Sequence, residues 1–468
     1  MKKKQIVIIG AGPSGLSVAW GLAGTSNVEV TVVEASNDIG GLSRTLECDG
    51  IRFDIGPHRL SAQIPEMLEA VRGLFGEDLL EKENHHSVYI DGVLYRYPPK
   101  LRDFLNLTSA WNTIRFGGSW LLARIKGTLF KAHEGHTFED ILLNSFGKNF
   151  CTSVIFPMIK KVWGTLDLHT DFARVRFQLP TVTSFILRLF SKRAQLNSRY
   201  FYYPVGGFGD IWKRIGEHLL SHGQKIEVSS RIVRIEADTL KGPFTLYYTR
   251  HGVEKRLEAD VLVSTVSNQD LLRYMQGIAE AVPMMKEIGH FDSRTLRLGV
   301  ILVRDFHLST RVIIFPEKTY IFNRISEMNQ FADLDYPEGQ TILMVDVIMD
   351  KQDPCHDMSD AEFNERLLDA VLALGWFKAH DVTKIFSIRV PNAYPVLNRR
   401  RYDAQERVTS FFTGTGVILC GREASTDYNN AHNAIAKGFM AAKLIRGEIT
   451  DREFIESAKI IGRLPIQD

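Results

Sequence analysis

Residues 5–15 read Gln-Ile-Val-Ile-Ile-Gly-Ala-Gly-Pro-Ser-Gly. Residues 6–9 are four β-branched apolar side chains in a row, the mark of a strand buried on both faces in a parallel sheet. Gly10, Gly12 and Gly15 then form G-x-G-x-x-G, and residues 16–23 are good helix formers. Gly10 allows the tight turn, Gly12 lets the backbone approach a pyrophosphate, and Gly15 lets the helix pack close on the strand. Pro13 and Ser14 stand at the helix N-terminus, where free N–H groups and the positive dipole end face phosphates. A second strand at 29–33 ends in Glu34, and 34 − 15 = 19 is close to the roughly 20 residues expected before the acid that binds a ribose hydroxyl. An acid there repels a 2′-phosphate and argues against NADP. A bare glycine motif is weak evidence. Strand, motif, helix, strand and acid in this order are specific for dinucleotide binding.

The chain has 468 residues, 44% hydrophobic and 24% charged. That length predicts two or three domains with ample core. A net charge of +2 gives no argument for nucleic acid. Lys2, Lys3 and Lys4 lead directly into the first strand with no apolar signal region, so no secretory signal is expected. No run reaches the roughly 18 apolar residues of a membrane span. Cys48, Cys151, Cys355 and Cys420 lack metal-ligand spacing and are expected as reduced thiols of a cytoplasmic protein. No internal repeat, Ser–His–Asp set or paired catalytic carboxylates is evident, which suits chemistry borne by a cofactor.

Further along, paired Gly40 and Gly41 follow the acid and permit close backbone approach to a ligand. A short strand around Phe53 and Ile55 breaks at Gly56-Pro57. Residues 87–98 alternate around Asp91-Gly92, a hairpin signal. Residues 102–195 are rich in helical periodicity. Within them 120–130 and 185–190 carry apolar faces with Arg and Lys between, suited to a membrane surface or lipid substrate, or to a core; core helices are expected. Residues 225–235 alternate as one strand, 244–248 and 253–257 as a hairpin, and 260–265 form a buried strand. Runs at 296–303 and 341–348 fit the sheet floor of a second domain. Residues 360–384 are expected as helix, 417–420 as strand, 430–444 as helix, and 449–468 as a loosely docked tail.

Glu34-x5-Gly40-Gly41-x-Ser43-Arg44 resembles the second fingerprint of the two-dinucleotide-binding-domain flavoproteins, a group that includes amine oxidases, protoporphyrinogen oxidases, phytoene desaturases and UDP-galactopyranose mutases. The resemblance implies FAD rather than NAD. Gly10, Gly12, Pro13, Ser14, Gly15, Glu34, Ala35, Gly40, Gly41, Leu42 and Ser43 would line it, with Arg44 reaching its phosphates as a planar donor fork. Phe53-Asp54-x-Gly56-x-His58 is similar to the segment that passes the flavin ring, which makes Gly56, Pro57 and His58 its neighbours. By the same resemblance the backbone near Ile232 clasps the adenine. Gly421-Arg422 and Tyr428-Asn429-Asn430-Ala431 resemble the last flavin motif, whose helix would aim its N-terminus at the flavin pyrimidine and stabilise a reduced anionic flavin. The mutase-like members usually have Met-Asp where this chain has Ala431-His432, so local flavin tuning differs. Val162-Trp163-Gly164 with Arg176, Tyr320 with Arg324, and the Tyr394-Pro395 segment resemble that subgroup too. There the two arginines hold a substrate diphosphate, each as a bidentate fork.

The resemblance runs from residue 5 to about 446. It implies an α/β two-dinucleotide-binding-domain flavoprotein, a Rossmann-like FAD domain (1–90, 200–270, 385–450) with an inserted α+β substrate domain (91–199, 271–384) and a C-terminal tail (451–468). The implied activity is an FAD-dependent oxidoreductase moving hydride from a small organic substrate to flavin N5, with His58, Tyr394 and Tyr428 as candidate catalytic residues. The alternative is a non-redox mutase using reduced FAD as nucleophile on a diphosphate-bearing sugar, with Arg176, Tyr320 and Arg324 on the substrate, or a related lipid diphosphate.

Overall fold

The computed structural model describes residues 2–97, 110–130, 137–172, 200–332, 334–423 and 429–464. The apolar run at 6–9 lies in β1 (Lys4–Ile9), followed by α1 (Pro13–Gly21) and β2 (Val28–Val33). Then come the paired β3 (Thr45–Cys48) and β4 (Ile51–Asp54), α2 (Pro65–Phe75) and β5 (Leu79–Glu83). β6 (His86–Ile90) and β7 (Val93–Tyr97) form the expected hairpin. Asp91 (φ 50°) and Gly92 (φ 79°) both take the left-handed backbone that a tight right-twisted hairpin requires.

The helical insert contains α3 (Ala110–Phe130), α4 (Phe138–Phe146), the short α5 (Lys148–Phe150), one π-helical stretch (Cys151–Ile155) and α6 (Phe156–Trp163). Past it stand β8 (Tyr200–Pro204), which pairs with β5, α7 (Asp210–Ser221) and β9 (Lys225–Glu227). β10 (Ser230–Glu236), β11 (Phe244–Arg250) and β12 (Val253–Ala259) make a three-stranded antiparallel sheet, and β13 (Val261–Ser264) and α8 (Asn268–Tyr274) follow. The last part holds β14 (Ser293–Arg304), β15 (Val312–Ile314), β16 (Arg324–Glu327), β17 (Gln340–Met349), α9 (Asp360–Leu372) and β18 (Val382–Pro395). It closes with α10 (Arg399–Phe412), β19 (Val417–Leu419), α11 (Ala431–Ile445) and α12 (Asp451–Gly462).

Two sheets organise the molecule. The first is five-stranded and all parallel, in the order β19-β13-β1-β2-β9. Its apolar residues serve both faces, as such a sheet demands. Ile6, Ile8, Val30 and Val32 pack with α1, α2 and α7, while Val7, Ile9 and Val33 pack with β10, β11, α8 and α10. The second sheet has seven strands, β18-β14-β17-β16-β15-β6-β7, antiparallel except for the β15–β6 pair. On β14, Leu296, Leu298, Val300 and Leu302 share one core with the helices of the first sheet; Ile301 and Val303 face a separate core under α9. The two layers are thus joined by common apolar packing.

Several expectations change. Residues 86–90 and 382–395 are strands of the seven-stranded sheet, whereas the sequence reading drew the first domain up to 90 and again from 385. Residues 225–235 are two strands of different sheets, broken where Ser229 takes φ 52°. Residues 360–384 are helix only to Leu372, and β18 begins at Val382. The expected loose tail holds α12, capped by Thr450 and tied to α11 by Asn433 Nδ2 donating to Ile461 O at 2.9 Å. α3, expected as core helix, exposes one apolar face. Arg176, Tyr428 and residues 185–190, for which the sequence carries expectations, lie outside the described residues.

Candidate active site

The first three glycines differ in what they leave beside them. Gly10 takes φ +101°, and a Cβ there would collide with Thr265 Oγ1, which already donates to Ile9 O at 2.8 Å. Gly15 faces the Gly10 carbonyl so closely that no Cβ fits, which lets α1 lie tight against the strand end. Gly12 has ordinary backbone (φ −76°), and a Cβ there would meet nothing nearer than Gly41 Cα at 4.0 Å. Protein packing therefore does not demand this glycine; an open gap between the two glycine-rich segments does. Gly12 is the N-cap of α1 with no side-chain cap, and Pro13 sits in the first turn, so the early N–H groups of a buried helix end face that gap without a protein partner from a cap. A pyrophosphate fits the gap: it is anionic, and it would take up these donors.

Glu34 stands at its edge. Its Oε2 accepts from Ala11 N at 2.7 Å, and its Oε1 accepts from Ser36 N at 2.8 Å and Ser36 Oγ at 2.7 Å. The carboxylate is fixed and keeps acceptor capacity for ribose hydroxyls. Ser230 N donates to Glu34 O and Ser229 N to Ser36 O, which brings the start of β10, with the buried Ile232, beside the ribose acid. Ala35 is exposed next to it. The second fingerprint is equally braced. Gly40 (φ +102°) and Gly41 (φ +55°) open a short 3-10 turn through Ser43. Gly40 N donates to Ala11 O at 2.8 Å, Trp212 Nε1 to Ser43 O at 3.1 Å, and Arg44 Nη1 to Gly41 O at 3.0 Å. That last bond ties the Arg44 guanidinium to the glycine turn.

His58 sits where the two layers meet. A neutral imidazole meeting a carbonyl must donate, so Nε2–H donates to Leu42 O at 3.0 Å. The ring lies 5.1 Å from that of Phe208. Removal from water, reinforced by the nearby positive charge of Arg422, holds His58 down to about 4. Pro57 precedes it, and Gly56, at φ +81°, leaves space beside Arg324, whose Nη2 would stand 3.3 Å from a Cβ there. Arg324 opens β16 and is ion-paired with Asp346 of β17, fully buried. Burial raises the Asp346 carboxyl while Arg324 opposes the rise.

From the other end of the chain, Gly421 brings its backbone near Ser14 at the α1 N-terminus. Arg422 donates to Asn429 O at 3.1 Å and Ala393 O at 3.3 Å, next to the half-buried Tyr394. Asn430 caps α11 reciprocally with Asn433, and Ala431 is its first, buried residue. Residues 10–15, Glu34, 40–44, 56–58, Arg324, Tyr394, 421–423 and 429–431 are thus gathered on one side of the parallel sheet's carboxyl ends, where ligands of such sheets bind. Tyr320 lies on the segment leading into β16. Its ring belongs to an aromatic group with Tyr89, Phe315 and Phe322.

Three supporting residues are assigned no role from the sequence, although Asp54 stands inside the Phe53-Asp54-x-Gly56-x-His58 segment. Asp54, fully buried, accepts from Thr45, Tyr203 and the Phe208 backbone, and so locks β3, β8 and the start of α7 behind His58. Lys437, buried on α11, donates to Asn429 Oδ1 at 3.0 Å and holds the last flavin segment. Lys161 donates to Phe315 O at 2.8 Å and Phe322 O at 3.0 Å, and burial lowers it to about 7. Among the described residues no group of His, Cys, Asp and Glu could hold a metal ion.

The chain matches the family described as flavin containing amine oxidoreductase over residues 13–446. An L-amino-acid oxidase of Sistrurus catenatus edwardsii is 41% identical over 88 residues, 18% of this chain and 17% of that enzyme. The chain spans between 13% and 22% of the length of such curated relatives. A solved reduced UDP-galactopyranose mutase superposes with a TM-score of 0.81 at 20% identity, covering 98% of both chains. A putative protoporphyrinogen oxidase from Exiguobacterium sp. 255-15 gives 0.70 at 17%, covering 96% of this chain and 100% of that one. These two likenesses are of fold.

Proposed function

The chain belongs to the flavin containing amine oxidoreductase family, with FAD as its cofactor, and from that premise we propose an FAD-dependent oxidoreductase of the oxidase, dehydrogenase or desaturase type acting on a small organic molecule. The observation that carries this reading is the reach of the family match, residues 13–446, which takes in the N-terminus of α1, Glu34, the second fingerprint and the sheet facing them. FAD, when bound, supplies the acceptor for a hydride leaving a substrate C–H bond.

This chain's own residues do the positioning. Gly10, Gly12, Gly15, Pro13 and Ser14 would hold the pyrophosphate against the α1 N-terminus, Glu34 the ribose, and Arg44 the outer phosphate oxygens. His58, neutral at physiological pH, offers a fixed ring beside the cofactor and no charge. Arg324 and Arg422 supply the positive field there, so an anionic group on the substrate would turn toward Arg324 and leave its C–H toward the cofactor. Tyr394 walls the same side. The oxidase named above acts, by its name, on L-amino acids; a C–H beside an amine, with a carboxylate for Arg324, is the substrate class this reading favours.

A second reading is favoured by one observation, the Arg324 guanidinium beside Gly56. A diphosphate-bearing nucleotide sugar, held by Arg324 with Arg176 and rearranged without net oxidation, would use the same charge. One experiment separates them. Amino acids and amines are added anaerobically to the oxidised protein, and nucleotide sugars to the reduced protein. Bleaching of the visible flavin band by an amine or amino acid supports the first reading. Sugar isomerisation with no net flavin turnover overturns it in favour of the second, and no response to any substrate class overturns both.

A further inference from the structure

We propose that α3 (Ala110–Phe130) is a docking helix that lies on an anionic lipid surface. The helix has two unlike sides. One rests on the insert: Phe116 packs on Phe150 at 5.4 Å between ring centres, Asn149 N donates to Ser119 Oγ at 3.0 Å, and Asn149 Nδ2 donates to Arg115 O at 3.1 Å. Gly147 comes so close to the Ser119 backbone that a Cβ there would stand 2.6 Å away. The other side faces out. Trp111 is 74% exposed, Ile114 68%, Leu121 54%, Leu122 62% and Ile125 46%. At 3.6 residues per turn these five positions fall within an arc of about 100°. Scattered exposed leucines need no explanation, but five large apolar side chains on one helix face do.

Charge decides what covers that face. Residues 110–130 contain Arg115, Arg124 and Lys126 and no acid, in a chain whose net charge is only +2. By sequence, residues 173–199 of the same insert add Arg174, Arg176, Arg188, Lys192, Arg193 and Arg199, again without an acid. A second copy of the chain, meeting this face across a two-fold axis, would bring the basic residues of the helix toward their own copies with no acid on the helix to pair them. An anionic bilayer neutralises them instead. Apolar residues, a tryptophan and basic partners on one helix are what buries into the headgroup boundary. No helix among the described residues is long and apolar enough to cross a membrane, so α3 lies in the surface plane.

The FAD-loaded protein should be spun with vesicles of phosphatidylcholine alone and of phosphatidylcholine with phosphatidylglycerol. Binding to the mixed vesicles, weakened by high salt and weak to phosphatidylcholine alone, is expected. The triple variant Leu121→Ser, Leu122→Ser, Ile125→Ser should lower partitioning about tenfold or more with flavin content unchanged. Arg115→Glu, which leaves the apolar face intact, should weaken only the binding to mixed vesicles. Failure of the wild type to bind mixed vesicles, equal binding by the flavin-loaded triple variant, or a wild-type dimer that this variant converts to monomer overturns the proposal.

Discussion

At the scale of single residues, the glycine motif separates into glycines the fold needs and one the ligand needs. Gly10 is held by its positive φ and by Thr265; Gly12 has a backbone any residue adopts and an open gap beside it. Gly12→Val should therefore purify without flavin while the apo-protein unfolds within about 0.5 kcal/mol of wild type, as a substitution away from packing does. Gly10→Ala should cost the apo-protein about 1–3 kcal/mol through strain and collision. Flavin absorbance and urea unfolding read both; a flavin-replete Gly12→Val protein would refute the cradle. Spacing in the sequence made this site legible because chain-local geometry builds it. Which glycine serves which purpose was not legible, because Thr265 arrives from 255 residues away.

His58 carries a pH dependence with a definite sign. Its native value, about 4, lies below the ordinary 6.5, so between these values the unfolded chain binds a proton that the folded chain refuses. Stability from this residue is complete above pH 6.5 and is lost as pH falls toward 4, to a total of about 3 kcal/mol. Asp54 and Asp346 work the other way, because burial raises their carboxyls. The comparison must therefore be between wild type and His58→Gln as apo-proteins across pH 4–7. The variant should lose the wild-type slope between 6.5 and 4, and parallel curves would show that His58 is not held neutral.

At the scale of elements, α12 braces α11, the helix whose first turn would face the cofactor in the reading proposed above. The Asn433 side chain closes the capping box of α11 and also reaches Ile461 O on α12. Asn433→Ala should therefore do two things, costing about 1–2 kcal/mol and slackening flavin retention. Thr450→Ala, which uncaps α12 alone, should cost about 1 kcal/mol with flavin retained. Hydrogen exchange over 431–462 with flavin release rates distinguishes them; identical flavin retention in the two variants would count against a bracing role. The tail reading failed even though Thr450-x-x-Glu453 is a capping-box signal, because few apolar residues announce this helix. The 225–235 strand reading failed because Ser229, not a glycine, makes the break. α3 misled in the opposite sense, since amphipathic spacing alone does not say whether the apolar face meets protein.

At the scale of the whole molecule, the parallel layer is legible in outline; of the facing layer the hairpin at 87–98 and the strands at 296–303 and 341–348 are legible, but their pairing is not. The facing layer's parallel pairing sets β6 against β15, residues 86–88 beside 312–314, and nothing local in either stretch names the other. Arg324 shows the consequence. From sequence it is a substrate arginine; in the fold it is also the partner of a buried carboxylate, at the seam between the layers. Arg324→Ala alone would strand the Asp346 charge and cost about 3–5 kcal/mol, so lost binding in that variant would say little about substrate. The pair must change together. Arg324→Met with Asp346→Leu replaces an ion pair by apolar side chains of similar bulk, which is often neutral for stability. This double variant should melt near wild type, keep its flavin, and bind the anionic substrate about 2–5 kcal/mol more weakly. Substrate titration followed by flavin absorbance checks it. A stable, flavin-loaded double variant with wild-type affinity would make Arg324 a structural residue of the seam and move the anion site elsewhere along the layer boundary.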